Sequence, residues 1–242
     1  VDFSDPGELG IFVDQQQLSN LEEKMSKRGY LEGSEMANTF NMMRDNDLIW
    51  SFVINNYLLG KEPFPFDLLY WNSDSTRMPA AMHAFYLRNM YLENKLVEPG
   101  GIALGGVDID LRSINIPVYM LSTREDHIAP WKSTYIATGL YRGPTRFVLS
   151  ASGHVAGVVN HPAKKKYCYW TNGNLTKDPE SWLAKAKHHD GSWWPDWDKW
   201  IKKHAGKKAT PARHPGDREL KALENAPGTY VKVRSDGYTK LH

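Results

Sequence analysis

The chain has 242 residues, 41% hydrophobic and 24% charged, with a formal net charge of +2. That suits one large domain or two small ones with a sizeable core, and excludes a chain disordered throughout or a protein that binds polyanions over its whole surface. No apolar stretch approaches the ~20 residues of a membrane span, VDFSDPGELG lacks the apolar run of a secretory signal, and Cys168, the single cysteine, excludes an internal disulfide and fits a reducing cytoplasm.

Val1 to Gly7 reads as the end of a strand and its loop, with no element before it. Asp14 to Arg28 predicts a helix, since Leu18, Leu21 and Met25 recur at spacings of three and four and Gly29 follows. Ser34 to Met43 predicts a second, with Met36, Phe40 and Met43 on one face. Asp45-Asn46-Asp47 offers a cap for a third helix, Leu48 to Leu59, that ends at Gly60. Pro63 and Pro65 interrupt regular structure, Phe66 to Trp71 is apolar and aromatic, and Asn72 to Thr76 is a turn and cap cluster. Pro79 to Asn94 predicts a long helix. The methionines and aromatics of residues 36–92 read mainly as core, in a helical stretch with few strands. Gly100 to Asp110 alternates and is rich in glycine, so it predicts a hairpin or edge strands and not a phosphate cradle.

The most informative stretch is Ile116 to Gly157. Ile116 to Leu121 is a continuous apolar run and predicts a buried parallel strand, ending in the polar loop Ser122 to His127. Trp131 to Leu140 predicts the return helix, and Arg146 to Leu149 a second strand that ends in Ser150-Ala151-Ser152-Gly153-His154. In an α/β sheet both loops lie at the carboxyl edge, where such folds keep their chemistry. An acid, Asp126, and then a histidine, His154, each on the loop after a strand, match the back half of a hydrolase-type triad. The acid would fix the imidazole tautomer and stabilise its charge, and Gly153 would allow the turn into the site. Spacing alone leaves a plainer reading open, in which Asp126 caps a helix and His154 is an ordinary loop histidine.

Val155 to Asn160 reads as a turn or short helix, and Ser181 to His189 as helical. The tryptophans of Gly191 to Trp200 would close one side of the core. His188, His189 and Asp190 lack a third ligand at useful spacing, so no metal site is expected. Residues 201–242 carry ten Lys/Arg against four Asp/Glu and read as a solvated basic tail, with Tyr230 to Val233 strand-like. The nucleophile elbow G-x-[SC]-x-G that a triad requires is found nowhere in the sequence, and Cys168 has no flanking glycines. The expectation is therefore the C-terminal piece of a larger enzyme.

Taken together, REDHIAPW at 124–131, SASGHVAGVVN at 150–160, WNSD at 71–74, YLENKL at 91–96 and GSWWPDW at 191–197 resemble polyhydroxyalkanoate synthases, most like the class I type. The resemblance runs from VDFSDPGELG to APGTYVKV and implies an α/β-hydrolase fold with a helical cap. The cap would span residues 1–95, the core with the acid and base loops 96–205, and the basic tail 206–242. It implies polymerisation of (R)-3-hydroxyacyl-CoA into polyester with release of CoA, by a cysteine nucleophile that Cys168 does not match. Asp126 matches the family's acid and His154 its base. Arg44 and Trp71 are candidates for lining the substrate or CoA path, Asn94 for a polar pocket residue and His127 for organising the acid loop. No cofactor or metal is implied; the expected partners are the acyl-CoA, the growing polyester, the granule surface in the cytoplasm, and a second copy bound through the cap. The alternatives are a serine-type esterase or depolymerase, and a non-catalytic granule-binding module.

Overall fold

The computed structural model describes residues 2–43, 49–63, 77–206 and 214–229. It divides into two compact units, Val1–Leu31 with Met78–Ala205, and Glu32–Arg77 with Gly206–His242. The first begins with helix α1, Gln15–Arg28, whose Asp14 carboxylate accepts a hydrogen bond from the Gln17 amide at 2.8 Å. Leu18 and Met25 are the buried stripe of this helix, as their spacing predicts. Gly29 closes it with φ +83°, a conformation that costs glycine little. The chain leaves this unit after Leu31 and re-enters it at Met78, beside its point of departure: Tyr30 forms a β-bridge with Pro79, and the Ala80 amide donates to the Gly29 carbonyl at 2.7 Å. Helix α2, Ala80–Tyr86, follows and widens into π-helical turns at Leu87–Leu92. Arg88 on those turns grips both oxygens of Glu22 on α1, at 2.9 and 2.8 Å.

A short antiparallel hairpin comes next, β1 (Ala103–Leu104) and β2 (Val107–Asp108), joined by Gly105-Gly106 with both φ angles positive. That is the turn geometry that fits the twist of paired strands. The main sheet has β3 (Val118–Thr123), β4 (Thr145–Ser150), β5 (Cys168–Thr171) and β6 (Lys187–Asp190), in that order. β3 and β4 are parallel, joined by helix α3 (Trp131–Ile136); the other pairings are antiparallel. Phe147 and Leu149 of β4 pack with Met120, Trp131, Tyr135, Ala137 and Trp182 into one core. Tyr135, Phe147 and Trp182 meet edge-on or tilted at 4.9 to 5.5 Å between ring centres, and each contributes on the order of 1.5–3 kcal/mol by burial. Helices α4 (Pro179–Ala184) and α5 (Trp194–Ile201) complete the unit. Asp196 on α5 accepts hydrogen bonds from Arg146 at 2.8 and 2.5 Å and from the Tyr119 hydroxyl at 2.9 Å, and so ties that helix to β4 and β3.

The second unit contains a helix at Gly33–Met43 and π-helical turns at Val53–Leu58, which end before Gly60. Trp50, Phe52, Tyr57, Leu58 and Leu59 are all more than half exposed there.

Several sequence expectations change. The described methionines and aromatics of residues 36–92 do not form a core: none is buried, and Met42, Trp50, Phe52, Tyr57 and Met82 are each more than half exposed. The first strand starts at Val118 and runs to Thr123, because Ile116 is an exposed residue on the approach to the sheet. The predicted helix Ser181 to His189 is instead α4 followed by β6. His188 and His189 pair with Trp170 and Tyr169 of β5, and the imidazole of His189 stacks on Tyr169 at 4.7 Å. Cross-strand stacking of that kind outweighs a weak helical preference. The cap at Asp45 to Asp47, the segment from Phe66 to Thr76 and the strand at Tyr230 to Val233 lie outside the described residues, as do Pro65 and part of the basic tail.

Candidate active site

The parallel register pairs Thr123 with Ser150, so β3 and β4 end level and their loops leave the sheet side by side. The loops then bond to each other: the Arg124 amide donates to the Ser150 carbonyl at 2.8 Å, and the Glu125 amide to that of Ser152 at 3.2 Å. This cross-link brings Asp126 and His154 together from opposite ends of a 28-residue separation, with Nδ1 of His154 2.9 Å from Oδ2 of Asp126.

Asp126 is held on both sides. Its Oδ1 accepts from the Ile128 and Ala129 amides, each at 2.9 Å, while Oδ2 faces His154 and, at 3.4 Å, the Thr123 hydroxyl. Burial opposes charge on this carboxyl, but hydrogen bonds from His154 and from the two amides outweigh it and hold the pKa below the ordinary value. The carboxylate can only accept, so Nδ1 of His154 carries the proton and Nε2 is left as the basic nitrogen. The hydrogen bond to Asp126 raises the pKa of His154 against the opposing effect of burial. The Asp126 side chain is 8% exposed and that of His154 47% exposed, so the carboxylate is shielded and the imidazole is open to solvent. The plainer reading of Asp126 as a helix cap does not hold: Pro130 is the N-cap of α3 and no side chain caps it, while Asp126 closes the loop turn before it through the Ile128 and Ala129 amides.

The base loop is supported from beneath. Ser150, fully buried, donates its hydroxyl to the Gly157 carbonyl at 2.9 Å. Gly157 sits so tightly that a Cβ there would lie 2.5 Å from Thr123 Cγ2 and 2.6 Å from the Ala151 carbonyl. The indole N–H groups of Trp193 and Trp194 both donate to the Val158 carbonyl, at 3.2 and 2.9 Å. The turn expected at Gly153 is made instead by Ser152, whose φ is +75°. A non-glycine residue in that region carries strain of the kind found at functional sites. Sequence reading passed over Thr123, Ser150, Gly157 and the two indoles as supports. The one visible signal was the density of small residues around His154.

The other candidates stand apart from this pair. Asn94, at φ +49°, accepts from the Phe3 amide at 2.8 Å and donates to Asp2 at 2.9 Å, so its side chain fastens the segment at residues 2–3. That segment borders a cavity of about 190 Å³ lined by Phe3, Tyr86, Tyr91, Ile128, Ala129 and Ser133, among others, directly behind the acid loop. His127 sits between Asp126 and the Ile128 amide that Asp126 accepts. Arg44 and Trp71 lie outside the described residues. Cys168 opens β5, and its carbonyl accepts from the Ala151 amide at 2.9 Å, which puts its backbone beside the base loop. Burial and the charges of Asp190 and Glu125 push its thiol pKa up, the reverse of what activates a thiolate. Among the described residues no cluster of His, Cys, Asp and Glu could hold a metal ion, and no helix is long and apolar enough to cross a membrane.

No family model matches the chain. Individual curated proteins do. It is 54% identical over 235 residues to the poly(3-hydroxyalkanoate) polymerase subunit PhaC of Rhizobium meliloti, covering 97% of this chain and 38% of that protein. It is 51% identical to the poly(3-hydroxyalkanoate) polymerase of Methylorubrum extorquens, covering 97% of this chain and 39% of that protein. Against the polymerase subunit PhaC of Cupriavidus necator the identity is 47%, covering 97% and 41%. The chain thus spans about two fifths of the length of the relatives it matches. Identity at this level along almost every residue, in relatives that share one name, means that the chain belongs to the poly(3-hydroxyalkanoate) polymerase family.

Proposed function

We propose that the protein to which these residues belong polymerises (R)-3-hydroxyacyl-CoA, typically 3-hydroxybutyryl-CoA, with Asp126 and His154 as the acid and base of a Cys-His-Asp acyl transfer. The observation that carries this reading is the 2.9 Å contact between His154 Nδ1 and Asp126 Oδ2, made by loops at one edge of a parallel strand pair. The names of the relatives support the chemistry.

The nucleophilic thiol comes from a part of the longer protein that lies outside this chain. His154 Nε2 takes the proton of that thiol, and the thiolate attacks the thioester carbonyl of the acyl-CoA. The tetrahedral intermediate collapses, the CoA thiolate leaves, and His154 returns the proton to it. In the second half, Nε2 takes the proton of an incoming 3-hydroxyl. The alkoxide attacks the enzyme-bound thioester, a new ester forms, and the cysteine thiolate is released and reprotonated. Asp126 stabilises the imidazolium in each half and keeps the Nδ1 proton in place. The thioester supplies the driving force, so the reading needs no cofactor.

The fold in this reading is that of an α/β-hydrolase, with residues 1–95 as its cap and 206–242 as a tail. In this reading Arg44 and Trp71 would line the substrate or CoA path, and Asn94 would be a polar residue of the pocket. The exposed side chains of Trp50, Phe52 and Tyr57 support a role for the cap in pairing two copies. The enzyme would work at the surface of cytoplasmic polyester granules. The direct test is His154→Gln in the full-length protein, with CoA release from 3-hydroxybutyryl-CoA as the readout. Loss of nearly all turnover is expected, and wild-type turnover would remove the base from this assignment.

A further inference from the structure

Beyond the close approach of Gly157 to Thr123, the loop around His154 buries little aliphatic side chain. Val158 and Val159, its two aliphatic side chains nearest the surface, are 37% and 54% exposed. The Val155 and Gly153 carbonyls are taken up within the turn itself, by the amides of Val158, Val159 and Gly157. Polar groups from outside the turn hold it: the Glu125 amide on the Ser152 carbonyl, the Cys168 carbonyl on the Ala151 amide, the Ser150 hydroxyl on the Gly157 carbonyl, and two indole N–H groups on the Val158 carbonyl. A carbonyl has two lone pairs, and here adjacent tryptophans occupy both.

The platform that carries those indoles is rigid. Trp193 and Trp194 stand at the start of α5, and the Trp194 amide donates to the buried Ser192 hydroxyl at 3.1 Å. Two residues further on, Asp196 is bound to Arg146 of β4 and Tyr119 of β3. The Trp193 ring also lies 6.2 Å from that of Tyr119. One helical turn therefore grips the sheet through a carboxylate and the base loop through two indoles. The strands it grips are the ones that end in the loops of Asp126 and His154.

We propose that Trp193 and Trp194 are positioning residues for His154, clamping the Val158 carbonyl so that the imidazole stays within hydrogen-bond reach of Asp126. This rests on the reading of Asp126 and His154 as acid and base. An indole is suited to the task, since it brings a single donor on a large, rigid ring with only two rotatable bonds. Replacing it with phenylalanine removes the donor and keeps most of the ring.

The test uses the full-length protein with Trp193→Phe/Trp194→Phe, and reads CoA release together with the titration of His154 by histidine-selective NMR, its signal assigned by the loss seen in His154→Gln. A loosened loop separates the imidazole from Asp126. The expected result is a fall in kcat of about ten- to a hundredfold at unchanged KM, with the His154 titration moved down toward the ordinary histidine value. Trp197→Phe, which changes an exposed indole of the same helix, is expected to leave both readouts as they are. If the double variant does not fold, Trp194→Phe alone loses the shorter bond, and the same two shifts are expected at smaller size. A folded variant with wild-type kcat and an unmoved titration overturns the proposal. So does a fall in kcat that comes with lower thermal stability but leaves the His154 titration in place, since that is the mark of a merely structural role. If His154→Gln itself retains turnover, it is the acid–base reading that fails, and the two failures are distinct.

Discussion

Gly157→Ala puts the geometry of the base loop to a quantitative test. The new methyl would stand 2.5 Å from Thr123 Cγ2, 2.6 Å from the Ala151 carbonyl and 3.0 Å from the Gly153 carbonyl. Carbon atoms prefer about 3.5–4.0 Å, so one of the walls must give by about 1 Å. Thr123 is a stiff, β-branched side chain that is 1% exposed, and Ala151 is pinned through its amide to Cys168, so the loop itself is what moves. Overpacking of this kind costs about 1–3 kcal/mol, and loss of the bond from Ser150 to the Gly157 carbonyl adds about 1. His154 is three residues away, and its 2.9 Å contact with Asp126 leaves hydrogen-bond range once it lengthens beyond about 3.2 Å. The expected outcome in the full-length protein is a loss of stability of about 2–4 kcal/mol and a fall in CoA release of roughly a hundredfold. Adding Thr123→Ser removes the nearest methyl and should recover part of both. Wild-type turnover and an unchanged melting temperature in Gly157→Ala would refute the argument that the loop is held at close packing.

Asp126→Asn keeps an acceptor for the Ile128 and Ala129 amides but turns an amide toward His154, which favours the wrong tautomer; kcat should fall on the order of 10³- to 10⁴-fold while circular dichroism stays unchanged. The stabilisation from this pair should depend on pH from both sides. The depressed Asp126 pKa means its share is present above the ordinary carboxyl value and is lost as pH falls through the lowered one; the raised His154 pKa means its share is present below the ordinary imidazole value and is lost as pH rises through the raised one. The stability difference between wild type and His154→Gln, measured by denaturation across pH, should therefore be largest between about pH 4 and 6.5. Asp196→Asn leaves the half-buried Arg146 without its counter-charge and should cost about 2 kcal/mol, less than a fully buried pair would, read as a lower melting temperature. Asp14→Ala removes the cap of α1 and should lower the melting temperature by the same measurement.

The parts of the fold that were legible were those with a strong local pattern. The α1 helix carries a periodic stripe between a capping aspartate and a terminating glycine, and the Gly105-Gly106 hairpin has its turn chemistry in the residues themselves. The strands β3 and β4 were visible as apolar runs because both faces of each are covered. Asp126 and His154 stood out through chain order and strand ends, and the structure places their side chains 2.9 Å apart. What stayed hidden depends on neighbours distant in sequence. β6 is polar and reads as a continuation of α4 until Tyr169 and Trp170 are beside it. The clamp on Val158 joins side chains 35 and 36 residues away to a backbone carbonyl, and no spacing rule anticipates that. Ser152 took the left-handed turn that the neighbouring glycine was expected to take, at the point where its carbonyl accepts from the Glu125 amide of the facing loop.

The bridge between Tyr30 and Pro79, with Ala80 bonded to Gly29, forms a neck of the first unit, where the chain departs after Leu31 and returns at Met78. A neck closed by its own backbone bonds makes the excursion modular. Its length can drift with little thermodynamic penalty, since doubling a loop costs only about 0.6 kcal/mol in closure entropy. A change of length between Leu31 and Met78 should therefore leave the contact between Asp126 and His154 in place.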